Sequence, residues 1–229
     1  MRIVKYFLSL FFPNYCLGGC GNTLEMPDEQ LCVHCFSQLT LTHFSKHSPN
    51  NIEQLFWGKV RVERATSLFY FSKESRIQQI IHQLKYKGRN DIGFLLGRLL
   101  GKDLIDSPDF DSIDLIIPVP LHKSKKNKRG YNQSEEIAKG VIEELKIPLD
   151  TKSLKRISFT KTQTRKKRFE RWENVKDVFS VQDSGSLEGK HILLIDDVCT
   201  TGATLIACAE QLLTIKDVKI SIATVAFAS

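Results

Sequence analysis

The sequence predicts an α/β fold, with a mainly parallel sheet covered by helices on both faces and a small cysteine-bearing module ahead of it. Three observations carry this. From about residue 60 onward, apolar runs of buried-strand type alternate with segments of helical periodicity, the pattern of a parallel sheet sandwiched between helices. Four of the six cysteines crowd between Cys16 and Cys35. The 229 residues, 41% of them hydrophobic, suffice for one ordinary domain plus an appendage and exclude a disordered chain.

In chain order, Met1 to Pro13 pairs a basic start with a short apolar run. No small-residue cleavage site follows, and the run is too short to span a bilayer. A short amphipathic helix packed on the body is expected, in a cytoplasmic protein with no membrane span. Residues 14–40 are Gly- and Asn-containing and poor in apolar side chains, so they need a staple. Cys16-x3-Cys20-x11-Cys32-x2-Cys35 has the ligand spacing of a structural four-cysteine zinc site. Such local clustering argues for metal ligation over a disulfide framework. Four thiolates leave no open coordination position, so the Zn²⁺ is structural, and His34 reads as a bystander. Gly18, Gly19 and Gly21 allow tight turns beside the sulfurs. Residues 41–58 read as a linker, which divides the chain into a module at 1–50 and a main domain at 51–229.

In the main domain, Ala65–Ser72 is predicted as a strand. Arg76–Tyr86 carries Ile77, Ile80, Ile81 and Leu84 at helical spacing, and Ile92–Leu104 repeats the pattern with Leu95, Leu96, Leu99 and Leu100. Ile113–Val119 is a buried-type strand ending in Pro118-Val-Pro120. Ser134–Leu145 is a helix, His191–Ile195 a strand, Ala203–Leu213 a helix and Val218–Phe227 a last strand.

Function-bearing residues cluster after two of these strands. Beyond Ile195 come Asp196-Asp197, then Val198-Cys199-Thr200-Thr201-Gly202-Ala203-Thr204, then a helix. A Thr/Gly loop between a strand end and a helix N-terminus is an anion cradle of converging N–H groups, and ligands of α/β sheets bind at carboxyl ends of strands. Two carboxylates would repel a phosphate there, so they suit sugar hydroxyls, directly or through Mg²⁺. Cys199 reads as a small loop residue. After Pro120, Lys123 to Arg129 hold five cations and no acid. They read as a basic loop for pyrophosphate, with a solvated loop or a nucleic-acid contact as alternatives. Lys152 to Trp172 hold nine cations and one acid, with Phe169 and Trp172 interleaved. That stretch suits a lid, single-stranded nucleic acid or simply a charged helix. The formal net charge of +7 favours anionic partners in general.

Asp-Asp-x-x-Thr-Thr-Gly-Ala-Thr after a hydrophobic strand resembles the phosphoribosyl pyrophosphate (PRPP) motif of type I phosphoribosyltransferases. The resemblance implies that Asp196 and Asp197 engage the ribose hydroxyls. Thr200, Thr201, Gly202, Ala203 and Thr204 would hold the 5′-phosphate. With such a ligand, Lys123, Lys128 and Arg129 of the basic stretch are the residues expected at the leaving pyrophosphate.

The order of motifs over nearly the whole chain is similar to the ComF family of competence-associated proteins. The marks are the cysteine module, Leu84-Lys-Tyr-Lys-Gly88, Pro118-Val-Pro-Leu121, Arg129-Gly-Tyr-Asn-Gln133, Arg156, Thr162-Gln163, Arg168, Arg171, Asn174 and the Asp-Asp loop. This implies a role in DNA uptake during natural transformation, with PRPP, single-stranded DNA and other competence proteins as partners. Pentosyl transfer from PRPP is the implied chemistry. A non-catalytic protein that handles single-stranded DNA is the alternative. Arg156, Gln163, Arg168, Arg171 and Asn174 are implied lid or nucleic-acid residues. Two features depart from the family pattern. Arg165 and Lys166 stand where a small and an apolar residue are usual, and the first cysteine pair is spaced by three residues where two is usual. No residue stands out as a general base, so the catalytic residues are unassigned, as is the acceptor.

Overall fold

Four parallel strands form the central sheet: β1 (Arg64–Tyr70), β2 (Leu115–Pro118), β5 (His191–Cys199) and β6 (Lys219–Phe227), in the spatial order β1-β6-β5-β2. The computed structural model describes residues 14–24, 26, 29–157 and 178–228. The expected helix at 1–13 and the residues Gln163, Arg168, Arg171 and Asn174 lie outside them. Among the described residues, no helix is long and apolar enough to cross a membrane.

The strands are almost wholly buried, as their aliphatic runs demand. One face is covered by α3 (Arg76–Tyr86), α4 (Asn90–Ile105) and α6 (Gln133–Leu145), through a core that includes Ile80, Leu96, Ile137 and Leu193. The other face is covered by α7 (Ala203–Leu212), with Leu205, Cys208 and Leu212 against Ile192, Leu194 and Ile220. The register of α3 follows its sequence. Ser75 caps it by accepting from the Gln78 N–H, and Ile77, Ile80, Ile81 and Leu84 all point inward. Full burial of each such side chain contributes roughly 1.5–3 kcal/mol. Beyond the sheet, β3 (Leu154–Arg156) and β4 (Phe179–Val181) pair as a short antiparallel ribbon.

The α4–α6 contact is closer than side chains allow. A Cβ at Gly97 would sit 1.9 Å from the Ile137 carbonyl oxygen, and one at Gly140 2.2 Å from that of Phe94. Glycine at both positions lets the two backbones touch.

Three expectations are corrected. Residues 41–58 are not a linker. Phe44, Ile52 and Phe56 are buried. Asn50 caps the short helix α2 (Asn51–Gln54), and its amide donates to the carbonyls of Phe44, His47 and Ala65. Glu53 pairs with Arg64 of β1 at 2.9 Å. A polar composition conceals three apolar anchors and a capping box that bolt the segment to the sheet. The second correction concerns Lys123 to Arg129, which form helix α5, not a loop. His122 accepts the Ser124 N–H at its start, and Gly130 ends it with a left-handed φ of 83°. Third, β5 does not stop at Ile195. It stays paired with β6 as far as Cys199↔Phe227, so the acid pair belongs to the strand and Cys199 is a buried strand residue.

Candidate functional site

The loop expected to cradle a phosphate lies between the end of β5 and the start of α7. Gly202 precedes α7 with φ 73°. A Cβ there would be strained and would touch Phe56 at 3.4 Å and Leu55 at 3.6 Å. The segment after α2 therefore buttresses the loop from below. Val198 to Leu205, together with Asp196, line a cup of ≈ 50 Å³. Thr200, Thr201, Ala203 and Thr204 are exposed around it. The cup holds the first turn of α7, where N–H groups lack intrahelical acceptors and the dipole favours an anion. All five residues expected at the phosphate thus meet in one place.

The two acids lie beside this cup in different settings. Asp196 accepts the Ser134 hydroxyl at 2.8 Å and the Asp197 N–H at 2.9 Å. Burial, then the neighbouring Asp197 charge, pushes its carboxyl up to about 7, against the pull of the Ser134 hydroxyl. Asp197 instead forms an ion pair with Lys85 of α3 at 3.0 Å. Burial, and then the Asp196 charge, pushes Cys199 up to about 12, so it remains a thiol beside the cup.

Lys85 connects the acids to a second feature. A cleft of ≈ 470 Å³ opens between α3 and α5, lined by Lys85, Tyr86, Gly88, Lys125, Lys128 and Arg129. Two of the three expected pyrophosphate residues, Lys128 and Arg129, face it. Lys123, on the exposed first turn of α5, is not among its lining residues. The cleft adjoins the acids because β2, which leads into α5, is hydrogen-bonded to β5. The segment Arg129 to Gln133 ties it together. Arg129 donates to Gln133 at 2.7 Å, Tyr131 donates to the Leu84 carbonyl, and Asn132 donates to the Val119 carbonyl at 3.0 Å. Arg156 lies on β3 with its guanidinium 5.3 Å from the centre of the Phe179 ring. Sequence reasoning does not assign Lys85 or Ser134. Lys85 stands inside a motif that has no role attached to it, and nothing in the sequence marks Ser134.

The four sulfurs of Cys16, Cys20, Cys32 and Cys35 lie within 4.8 Å of one another. A tetrahedral Zn²⁺ with Zn–S bonds of about 2.3 Å needs sulfurs roughly 3.8 Å apart, and Cys20 and Cys32 are already at 3.7 Å. Backbone N–H groups of Gly18, Asn22, Cys32 and Cys35 point at the sulfurs from 3.2–3.5 Å, the polarity that thiolates need. The donor set therefore fits zinc. A Cβ at Gly18 would lie 2.5 Å from the Cys35 sulfur. His34 stays outside the cluster, against Gln38 at 3.1 Å. The module docks on α3. Leu17 joins the main core, and Arg76 and Gln83 donate to the Gly18 and Leu17 carbonyls.

Residues 113–229 match the phosphoribosyl transferase domain family. The chain is 31% identical over 137 residues to the DNA utilization protein YhgH of Salmonella typhimurium, covering 58% of this chain and 60% of that protein. It is 30% identical over 179 residues to competence protein F of Haemophilus influenzae, covering 76% of this chain and 74% of that one. A solved glutamine PRPP amidotransferase from B. subtilis, complexed with ADP and GMP, aligns at a TM-score of 0.42 and 20% identity. That alignment covers 62% of this chain and 30% of the amidotransferase.

Proposed function

The chain belongs to the ComF family, with a phosphoribosyltransferase-type fold and a four-cysteine module, and from that premise we propose that it binds PRPP with Mg²⁺ in the service of DNA uptake. The observation that carries this is one juxtaposition. The acid pair of β5 stands beside the phosphate cup, and Lys85 bridges it to the cationic cleft. In this reading the cup takes the 5′-phosphate and the acids take the ribose hydroxyls. Lys85, Lys128 and Arg129 take the pyrophosphate, and Lys123 joins them from the outer turn of α5. Bound Mg²⁺ would offset the pyrophosphate charge. Zn²⁺ on Cys16, Cys20, Cys32 and Cys35 has a structural role. Because those four cysteines serve as ligands rather than disulfides, we place the protein in the cytoplasm.

In turnover, the bond from C1 to the pyrophosphate oxygen breaks, and a bond from an acceptor nitrogen to C1 forms. Pyrophosphate leaves with the bonding electrons, and the nitrogen gives up a proton. The protein's contribution is positioning and neutralisation of the leaving charge. The cup holds one end of the ligand and the cleft the other, so the C1 bond lies between fixed points. Asp196, poised near neutrality, presents either an acceptor or an O–H to a ribose hydroxyl.

A second reading keeps the ligand and drops the turnover, leaving a protein that handles single-stranded DNA and responds to PRPP. One observation favours it. The relatives bear the names competence protein F and DNA utilization protein YhgH, which speak of DNA and of no transferred group.

Calorimetric titration of PRPP with Mg²⁺ tests the shared claim. Wild type is expected to bind, and Asp196→Ala/Asp197→Ala is expected to give only dilution heat. Equal heats from both proteins sink the assignment. Pyrophosphate release measured over ammonia and a panel of bases separates the two readings. Release with any acceptor favours the enzyme, and tight binding without release favours the ligand-responsive protein.

A further inference from the structure

Two neighbouring side chains at the start of α6 each touch one half of the proposed ligand site, and both lie outside the residues assigned to the ligand itself. Gln133 and Ser134 are 2% and 3% exposed. The Ser134 hydroxyl donates to Asp196 at 2.8 Å, and the Gln133 side-chain oxygen accepts from Arg129 at 2.7 Å. One contact is therefore on a ribose acid. The other is on a cation of the pyrophosphate cleft.

Each contact fixes a ligand-facing group through one atom and leaves another atom open. Asp196 receives both the Ser134 hydroxyl and the Asp197 N–H on the same oxygen, Oδ1. Among the described residues nothing donates to its Oδ2, so that oxygen is left for a sugar hydroxyl. Arg129 spends only Nη1 on Gln133, and the rest of its guanidinium fork has no acceptor among the described residues. The partner chosen for Arg129 is also neutral. Two residues further along, Glu135 pairs with Lys126 of α5 at 3.0 Å and offsets its charge. An amide at 133 instead orients Arg129 and keeps its charge for an anion.

Both contacts stand on one fixed platform. Asn132 caps α6 by accepting the Ser134 N–H, and its amide donates to the Val119 carbonyl at 3.0 Å. The Val119 N–H donates in turn to the carbonyl of Ile195, the residue before Asp196, at 2.8 Å. The first turn of α6 is thus tied to β5 through Val119 and again through Asp196. The Nε2 of Gln133 is buried without a partner among the described residues, an arrangement that costs stability. Stability therefore does not explain a glutamine here, whereas its grip on Arg129 does.

We infer that Ser134 and Gln133 are positioning residues, Ser134 for the ribose half of the ligand and Gln133 for the pyrophosphate half, held at a fixed spacing by the first turn of α6. This deepens the PRPP reading and rests on it. It makes the two halves of the site separable, because each residue acts through a different ligand-facing group.

The test uses the full chain with its metal. Calorimetry measures the binding of PRPP, ribose 5-phosphate and inorganic pyrophosphate, each with Mg²⁺, to wild type, Ser134→Ala and Gln133→Met. Thermal melts check that each variant is folded. Gln133→Met should melt no lower than wild type, because methionine has a similar volume and no amide to leave unpaired. Ser134→Ala should weaken PRPP and ribose 5-phosphate on the order of tenfold. It should leave pyrophosphate within about twofold of wild type. Gln133→Met should do the converse, weakening PRPP and pyrophosphate and sparing ribose 5-phosphate. Each variant tests its own half, so a failure to fold in one leaves the other to decide. If a folded variant weakens both fragments alike, or neither, its residue is merely structural and the inference is wrong, while the PRPP reading stands. A wild type that binds PRPP but neither fragment alone also overturns it, since the halves are then not built separately. If wild type binds none of the three, the inference and the PRPP reading fall together.

Discussion

Replacing Asp196 with Asn removes the acid that the fold holds furthest from its ordinary state. Burial and the adjacent Asp197 raise Asp196 to about 7, against about 3.9 in an unfolded chain. The native state therefore binds this proton more tightly than the unfolded state. The stability that comes with the proton is fully present below about pH 4 and is lost as pH rises through 7. A difference of that size corresponds to about 4 kcal/mol at most. Asp196 keeps some exposure at the cup, so a loss of about 1–3 kcal/mol is the realistic range. Asparagine keeps the carbonyl oxygen that accepts from Ser134 and from the Asp197 N–H, and it carries no charge. Thermal unfolding of wild type and Asp196→Asn followed by circular dichroism should show near-equal midpoints at pH 4. The variant should gain about 3–10 °C by pH 8, while PRPP binding is lost. A gap that does not change with pH, or a variant less stable at pH 8, would refute the reasoning. The acid would then be explained by structure and not held in place for a ligand.

Other consequences follow from packing and metal binding. Gly97→Ala puts a methyl 1.9 Å from a backbone oxygen that cannot swing aside, so it should cost about 3 kcal/mol or more. Gly185→Ala, whose nearest neighbour is 3.8 Å away, should stay within about 0.5 kcal/mol of wild type by chemical denaturation. Freshly purified protein should carry one zinc per chain by elemental analysis, and Cys32→Ser should lose it. Gly18→Ala should lose it as well, through the 2.5 Å approach to the Cys35 sulfur, although it removes no ligand. Retention of full zinc by Gly18→Ala would show that the cysteine loop is not held as tightly as described.

What the sequence discloses depends on whether the signal is local. The register of α3 is legible because four aliphatic side chains repeat at helical spacing and all face one core. The cup after β5 is legible as a strand-to-helix turn because strand, loop and helix start are consecutive in the chain. The segment 41–58 reads as a linker because its anchors, Phe44, Ile52 and Phe56, are irregularly spaced among polar residues. They find their places only against β1 and beneath Gly202. The Lys85–Asp197 pair joins α3 to β5 and exists only once the sheet order is known. Gly93, Gly97 and Gly101 repeat every four residues in α4. The purpose of that spacing appears only once Glu136, Gly140 and Glu144 of α6 lie opposite. The basic helix α5 reads as a loop because a run of like charges disfavours a helix. Its caps at His122 and Gly130 outweigh that preference.

The central claim is that one ligand spans cup, acids and cleft, and phosphorus NMR of PRPP titrated with protein and Mg²⁺ tests it most directly. The ligand carries three phosphorus atoms, so each end reports separately. With wild type, both the 5′-phosphate and the pyrophosphate signals should shift or broaden. Lys128→Gln/Arg129→Gln should spare the 5′-phosphate response and weaken that of the pyrophosphate. Gly202→Val, which strains the loop and crowds Phe56, should do the reverse. If the two variants affect all three signals alike, or if wild type perturbs none of them, PRPP does not lie across this site and the account is contradicted.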